Sequence, residues 1–311
     1  MTADALSFTS APGPSGTRFG EVRHYSSIDS TNRLLLDEAR LGAPEGLVAR
    51  AEHQSAGRGR MGRRWEAPPG ANLLVSVLLR PEVPLRAMHL VTVALAMATA
   101  DVCKSKSGLD PSLKWPNDLI VGDRKLAGLL AESDPGTDKP GGHGHGGRAV
   151  VVGVGLNVNW PAPEGEADRS PMNDDPRPGL ELSGLDPPSG VDPPSGLDLS
   201  GLDSGDLRTT ATSIWRESGR RLDPGELLNP LLTLAEPLLV DLQSEKGRER
   251  LAEEYRKRCS TLGRQVQVTL PRETFEATAV DLTPDGHLVV DLGTGRREVA
   301  AGDVVHIRTE S

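Results

Sequence analysis

The sequence predicts an α+β protein, with helices segregated from a mostly antiparallel sheet and a small β-barrel appended at the C-terminal end. Three observations carry this reading. Short apolar runs such as Asn72–Leu79 are joined by connections that are mostly too short for parallel crossovers. One long apolar stretch, Leu85–Lys104, has the composition of a core helix. From Leu262 onward the chain changes to alternating apolar and polar residues punctuated by turn sequences.

Arg33–Leu41 has helix-forming composition; Ser30 or Thr31 caps its start, and Gly42 with Pro44 ends it. Leu47–Glu52 reads as extended, and Asn72–Leu79, bounded by Gly70 and Pro81, as a buried strand. After the core helix come Ser112–Trp115, Leu119–Val121 and Lys125–Glu132, the last two joined by a turn at Gly122 and Asp123. Arg148–Val154 completes the sheet. Order resumes at Arg208–Glu217 and continues in two helical pieces within Pro224–Arg258. Val266–Leu270, Thr274–Leu282, His287–Leu292 and Val299–Ile307 then read as strands linked by Pro284-Asp285-Gly286 and Gly293-Thr294-Gly295 turns, a barrel of SH3-like size. The expected organisation is a disordered tail over 1–20, a large domain over 21–258 and a small one over 259–311.

Two stretches lack the apolar periodicity that would offset the entropy of ordering them. Residues 134–147 (DPGTDKPGGHGHGG) and 160–207, with the near-repeat SGLDPP, SGVDPP, SGLDLS, are expected to be disordered insertions. His143 and His145 in the first have no carboxylate or thiol neighbour that would complete a metal site.

A net charge of −9 argues against broad nucleic-acid binding, which needs a cationic face. Cys103 and Cys259 are far apart without metal-ligand spacing, as expected of reduced thiols in a cytoplasmic protein. The N-terminal residues have neither a basic nor an apolar region of a signal peptide, and the longest apolar run, Ala87–Ala100, is shorter than a membrane span.

Four short motifs carry chemistry. EHQSAGRGRMGRRW, residues 52–65, contains the GxGxxG spacing of a dinucleotide fingerprint, but Pro68, Pro69 and Gly70 leave no room for the helix that fingerprint requires. What remains is a glycine-rich loop whose guanidinium groups suit phosphate or carboxylate oxygens, or else stand solvated. KWPNDLIVGDRKLAGLL sets Asn117 and Asp118 at a strand end and brings Lys125 back toward Lys114, a pairing that could stabilise negative charge on a phosphoryl or acyl group. GVGLNVN offers glycines for close approach, and Asn157 and Asn159 on one side of an extended chain. DSTN, residues 29–32, is explained by helix capping or by hydrogen bonds to a neutral head group.

In this order along the chain, DSTN, EHQSAGRGRMGRRW, KWPNDL with RKLAGLL, and GVGLNVN before a small β-domain, the sequence closely resembles the biotin protein ligase family. The likeness covers nearly all of 21–308 outside the insertions. It implies a catalytic domain like that of class II aminoacyl-tRNA synthetases, followed by an SH3-like domain. It also implies a two-step reaction: biotin and ATP, with Mg2+, form biotinyl-5′-AMP, and a lysine on a biotin carboxyl carrier domain of an acyl-CoA or pyruvate carboxylase then takes the biotin.

Carried over by position, the resemblance puts Ser30, Thr31, Asn32 and Gln54 at the ureido head, and Arg58, Gly59 and Arg60 over biotin and the adenylate phosphate. Lys125 meets the biotin carboxylate, with Gly128, Gly153 and Gly155 lining the biotin site. Arg60, Arg63, Trp65 and Asn72 fall on the nucleotide side, as do Lys114, Asn117, Asn157 and Asn159. Asp118 is the candidate for orienting or deprotonating the acceptor lysine. No dedicated metal cage is visible. About twenty residues precede the first matching segment, too few for the winged-helix DNA-binding domain of some family members, so no nucleic-acid partner is expected; nor is a membrane. A monomer or weak homodimer fits. The competing readings are a lipoate-type ligase, which shares the catalytic fold, and a biotin-sensing binding protein, which would have lost a catalytic lysine or loop arginine.

Overall fold

The computed structural model describes residues 7–133, 148–163 and 210–307. The larger sheet has eight strands: β1 (Thr9–Pro12), β2 (Glu21–Ile28), β3 (Leu47–Gln54), β4 (Leu73–Leu79), β5 (Ser112–Lys114), β6 (Asp118–Val121), β7 (Arg124–Ser133) and β8 (Val150–Leu156). Their order is β1-β2-β3-β4-β8-β7-β6-β5. Every pair is antiparallel except β2 with β3, whose connection contains the helix α1 (Thr31–Arg40). That crossover carries the chain from one end of the sheet back to the other, which parallel pairing requires.

Alternation along the strands divides the sheet into two faces. Leu35, Leu36 and Ala39 of α1 pack on Leu47, Ala49, Ala51, Leu78 and Val151. Further along the same face stand Ser76, Gly153 and Gly155, the ground on which the site is built. The opposite face is covered by α2 (His89–Ser107), α3 (Ile214–Ser218), α4 (Leu228–Asp241) and α5 (Glu245–Arg258). Among the described residues one helical segment, Leu85–Ser107, passes a length-and-hydropathy test for a membrane span, and most of it is buried inside this protein.

The second sheet comprises β9 (Gln265–Leu270), β10 (Glu273–Leu282), β11 (Leu288–Asp291), β12 (Arg296–Val299) and β13 (Asp303–His306), in the order β12-β11-β10-β9-β13. It forms the small SH3-like domain. Val266, Val268, Leu282, Leu288 and Val290 join the same apolar cluster as α2 and α5, so the two domains share one core. Trp115, 1% exposed, donates its indole N–H to Gly286 O at 3.1 Å across the junction.

Several expectations need correction. Within the tail expected to be disordered, Thr9–Pro12 is the edge strand β1, paired with Glu21–His24. Prolines flank or end this strand, where a missing N–H costs little, and that composition hid it. The last predicted strand, Val299–Ile307, holds β13 and only the final residue of β12, which begins at Arg296 and is separated from β13 at Ala300–Gly302. Trp160–Pro163, assigned to the second insertion, belongs to the ordered wall, with Pro161 and Ala162 buried. The insertion 134–147, and 164–207 of the other, lie outside the described residues.

Candidate active site

A cavity of about 1040 Å³ opens on the sheet face that α1 leaves uncovered, at the top of the size range usual for small-molecule sites. Its floor is glycine. A Cβ on Gly155 would lie 2.5 Å from the Trp65 ring, and one on Gly128 would lie 2.9 Å from Lys125 Nζ. Larger residues would fill the space these two side chains occupy.

One end of the cavity is polar and neutral. Ser30 caps α1 by accepting the Arg33 N–H, which turns Thr31 and Asn32 inward, where both are buried. The Thr31 N–H donates to Gln54 Oε1 at 2.8 Å, and the Thr31 hydroxyl meets Ser76 Oγ at 2.7 Å. The other end is cationic. Lys125 Nζ is 2.7 Å from Asp118 Oδ1 and 5.6 Å from the centroid of the Trp65 ring. Lys114 also lines the cavity. Burial lowers its pKa, against the attraction of Asp118, so its charge is poorly solvated and gains most from an arriving anion.

The arginine loop closes over this space as a small hairpin. Gly59 N–H donates to Arg63 O at 2.7 Å and Trp65 N–H to Gly57 O at 3.0 Å, around a 3-10 turn at Arg60–Gly62. Met61 at φ 56° and Gly62 at φ 75° make the reversal. No α-helix starts there, as the prolines require. The loop is tied down on both sides. Arg60 donates to Asn117 Oδ1 at 3.2 Å and to Gly302 O at 3.0 Å, and Arg63 pairs with Asp303 at 2.7 Å. Burial lowers the Arg60 pKa, which marks the same electrostatic readiness as at Lys114. The small domain thus supplies part of the rim through β13, where burial, reinforced by Lys114, pushes the His306 pKa down to about 4 and keeps its ring neutral.

Residues 25–157 match the Biotin/lipoate A/B protein ligase family, and residues 261–307 match the Biotin protein ligase C terminal domain. A Biotin--[acetyl-CoA-carboxylase] ligase of Mycobacterium tuberculosis is 33% identical over 94% of this chain and 91% of its own length. This chain belongs to the biotin protein ligase family. The Escherichia coli bifunctional ligase/repressor BirA is 40% identical over a shorter stretch, 45% of this chain and 41% of its own. An Aquifex aeolicus biotin protein ligase in complex with biotin and ATP shares the fold, with a TM-score of 0.66 at 20% identity over 93% of this chain and 99% of that one.

Within this biotin protein ligase fold, most of the residues chosen from sequence meet at one cavity, including Gln54, Arg58, Arg60, Lys114, Asp118 and Lys125. Two do not line it. Asn72 is a buried bracket: its amide donates to Asn157 Oδ1 at 3.0 Å, and its oxygen accepts from Val158 N–H at 2.9 Å. Asn159 holds a remote segment, donating to Leu222 O at 2.7 Å and accepting from Leu222 N–H. Trp65, placed with the nucleotide from the sequence, lines the cavity over the glycines and beside Lys125. Its indole Nε1 is buried without a hydrogen-bond partner.

Asn157 lines the cavity, but its amide is engaged by Asn72 and by Thr212 O at 2.9 Å. With Thr212 N–H donating to Lys125 O at 2.8 Å, this fixes the backbone that carries Lys125. Sequence reasoning missed the contributions of Ser76, Glu132, Trp160 and the β13 rim. A lone serine in an apolar strand was the one available signal among them.

Proposed function

We propose that this family member makes biotinyl-5′-AMP in the cavity and then biotinylates a lysine of a biotin carboxyl carrier domain. The observation that carries the assignment of roles is the convergence of Lys125 and the arginine loop on one cavity whose far end is neutral and polar. A ureido ring fits that end, offering N–H groups to the Thr31 hydroxyl oxygen and a carbonyl to donors such as the Gln54 amide. The apolar chain of biotin lies along the glycine floor against Trp65, whose unpartnered N–H is available to an oxygen of the ligand.

The carboxylate arrives at Lys125. There it attacks the α-phosphorus of ATP, the new acyl–phosphate bond forms and pyrophosphate leaves. Two anions must meet for this step, and Lys125, Lys114, Arg60 and Arg63 offset their repulsion as negative charge builds. The neighbouring carboxylates Asp118 and Asp303 are already paired with Lys125 and Arg63. Magnesium therefore fits as an ion carried on the nucleotide phosphates, with no protein cage of its own. In the second step the acceptor amine attacks the acyl carbon and AMP departs. Asp118, released from Lys125 as that lysine engages the anhydride, takes the amine proton.

The carrier is the biotin domain of a carboxylase, and the location is the cytoplasm, where two reduced, buried cysteines are at home. The test is ATP–pyrophosphate exchange. Biotin should stimulate it, and labelled biotin should then pass to a carboxyl carrier domain. Exchange stimulated by lipoate but not by biotin would overturn the assignment.

A further inference from the structure

Lys125 carries the proposed chemistry from an irregular place in the sheet. Lys125 and Gly128 both face the cavity, at a three-residue spacing that plain strand alternation forbids, and Leu126 and Ala127 between them both join the core. A β-bulge reconciles the two: Ala127 pairs with Leu119 and Lys125 with Ile120, so Leu126 is the extra residue. A bulge re-aims a side chain but disrupts the ladder around it. On the C-terminal side of the bulge β7 is well held. Asn32 donates to Leu130 O at 3.1 Å and to Glu132 Oε2 at 2.8 Å, Asn117 donates to Leu129 O at 2.6 Å, and β8 pairs along the strand as far as Ala127.

Lys125 itself lies past the end of β8, and residues 211–212 take over that edge. Ala211 forms an isolated parallel bridge with Lys125, and the Thr212 N–H donates to Lys125 O at 2.8 Å. This segment is in turn tied to Glu217, a largely buried residue of α3. One oxygen of its carboxylate, Oε1, accepts the Thr212 hydroxyl and lies 2.7 Å from Arg124 Nη2. A carboxylate oxygen has lone pairs for both donors, so the two contacts do not compete. They close a ring: Arg124 leads into Lys125, Lys125 O takes the Thr212 N–H, and Arg124 and Thr212 meet on Glu217. Neither Glu217 nor Arg124 lines the cavity, so the ring holds the lysine from behind.

We infer that Glu217 is a positioning residue for Lys125. By keeping Arg124 and Thr212 on one oxygen it fixes the backbone on the N-terminal side of the bulge, and with it the point from which the Lys125 amine reaches Asp118 and the reacting carboxylate. Loss of that oxygen strands the fully buried Thr212 hydroxyl and the Arg124 guanidinium together, which drives the ring apart. The amine then leaves the geometry that the reaction needs.

Two readouts on the full chain test this. The first is the rate at which acetic anhydride acylates each lysine of the ligand-free protein, followed by mass spectrometry. In Glu217→Ala, Lys125 should react at least about threefold faster relative to the exposed Lys246 of α5, because its 2.7 Å pairing with Asp118 is lost. Glu217→Gln keeps an acceptor oxygen and should stay within about twofold of the unchanged protein. The second readout is biotin, by calorimetry and in ATP–pyrophosphate exchange. Glu217→Ala should weaken biotin binding about tenfold and lower kcat to a similar degree, with the KM for ATP within about twofold, and Glu217→Gln should recover most of both. In a Lys125→Ala background, Glu217→Ala should cost no further biotin affinity, since the two residues act as one unit. General damage to the fold would multiply the two losses.

The affinity cycle rests on the biotin reading of Lys125; the acylation rates do not. Unchanged acylation of Lys125 in Glu217→Ala would overturn the inference, as would independent losses in the cycle. Faster acylation, with biotin affinity unmoved in Lys125→Ala, would leave the positioning in place and remove Lys125 from the biotin site. Should Glu217→Ala fail to fold, Thr212→Val removes the hydroxyl and keeps the N–H to Lys125, and the same outcomes decide.

Discussion

Lys125 and Asp118 form a close pair, yet the proposed chemistry gives them different moments. Lys125→Ala should abolish adenylate formation in a protein that still unfolds at its normal temperature. Asp118→Asn should slow transfer from preformed adenylate more than adenylate synthesis. Equal loss in both half-reactions of Asp118→Asn would remove the proton-accepting role. Gly155 makes a steric prediction. Because its Cβ would fall 2.5 Å from the Trp65 ring, Gly155→Ala must displace that ring from the cavity floor and should weaken biotin binding tenfold or more, about 1.4 kcal/mol, measurable by calorimetry. Single residues of this kind were legible in the sequence, because GRGRMGRRW and RKLAGLL keep their chemistry in short segments. Asn72, Asn157 and Asn159 were less so: an asparagine that reads a base and one that pins a backbone have the same letters.

At the scale of elements, the arginine loop is positioned by three neighbours: the turn that leads into β6 through Asn117, β7 through Glu132, and the entry to β13 through Gly302 and Asp303. The GVGLN strand serves its own neighbours in turn, since Asn157 locks the Thr212 segment onto Lys125 and Asn159 locks Leu222. Asn159→Ala should therefore lower stability by roughly 1–3 kcal/mol, the cost of leaving the Leu222 backbone groups half-buried and unpaired, with little change in the KM for ATP. A large rise in that KM at unchanged stability would restore Asn159 to the nucleotide site. The helices and strands themselves followed from periodicity and caps. β1 and the split of β12 from β13 did not, because short edge strands are decided by what they pair with and less by their own composition.

Across the whole molecule, the shared apolar cluster and the Trp115–Gly286 hydrogen bond make the two domains one folding unit. Calorimetry should show a single unfolding transition; two separable transitions would contradict a common core. His89 sits at this junction, its ring 6.2 Å from those of Trp115 and of Tyr255, and burial pushes its pKa from 6.5 down to about 4. Above about pH 6.5 the imidazole is neutral in both folded and unfolded chains. As pH falls from there toward 4, the unfolded chain takes up a proton that the folded chain refuses, so stability falls with pH across that window. A shift of that size corresponds to a loss of at most about 3 kcal/mol, and the half-buried His306 adds in the same direction. Thermal midpoints measured from pH 7 to pH 4 should decline, and His89→Gln should flatten the decline.

The sequence by itself determined the kind of protein. Its motifs occur in a fixed order, its arginine loop cannot start a helix because prolines follow, and its C-terminal segment alternates as a small barrel must. These are local properties, set by backbone stereochemistry and side-chain charge within a few residues. The tertiary structure alone decided which polar groups remain free for a ligand. Hydrogen-bond donors are finite, and whether Asn32 or Asn72 spends its own on a neighbour depends on strands far away in the chain. The same holds for the loop. Its arginines were evident from the start, but their hold on Asn117, Glu132 and Asp303 exists only because three separate strands end beside them.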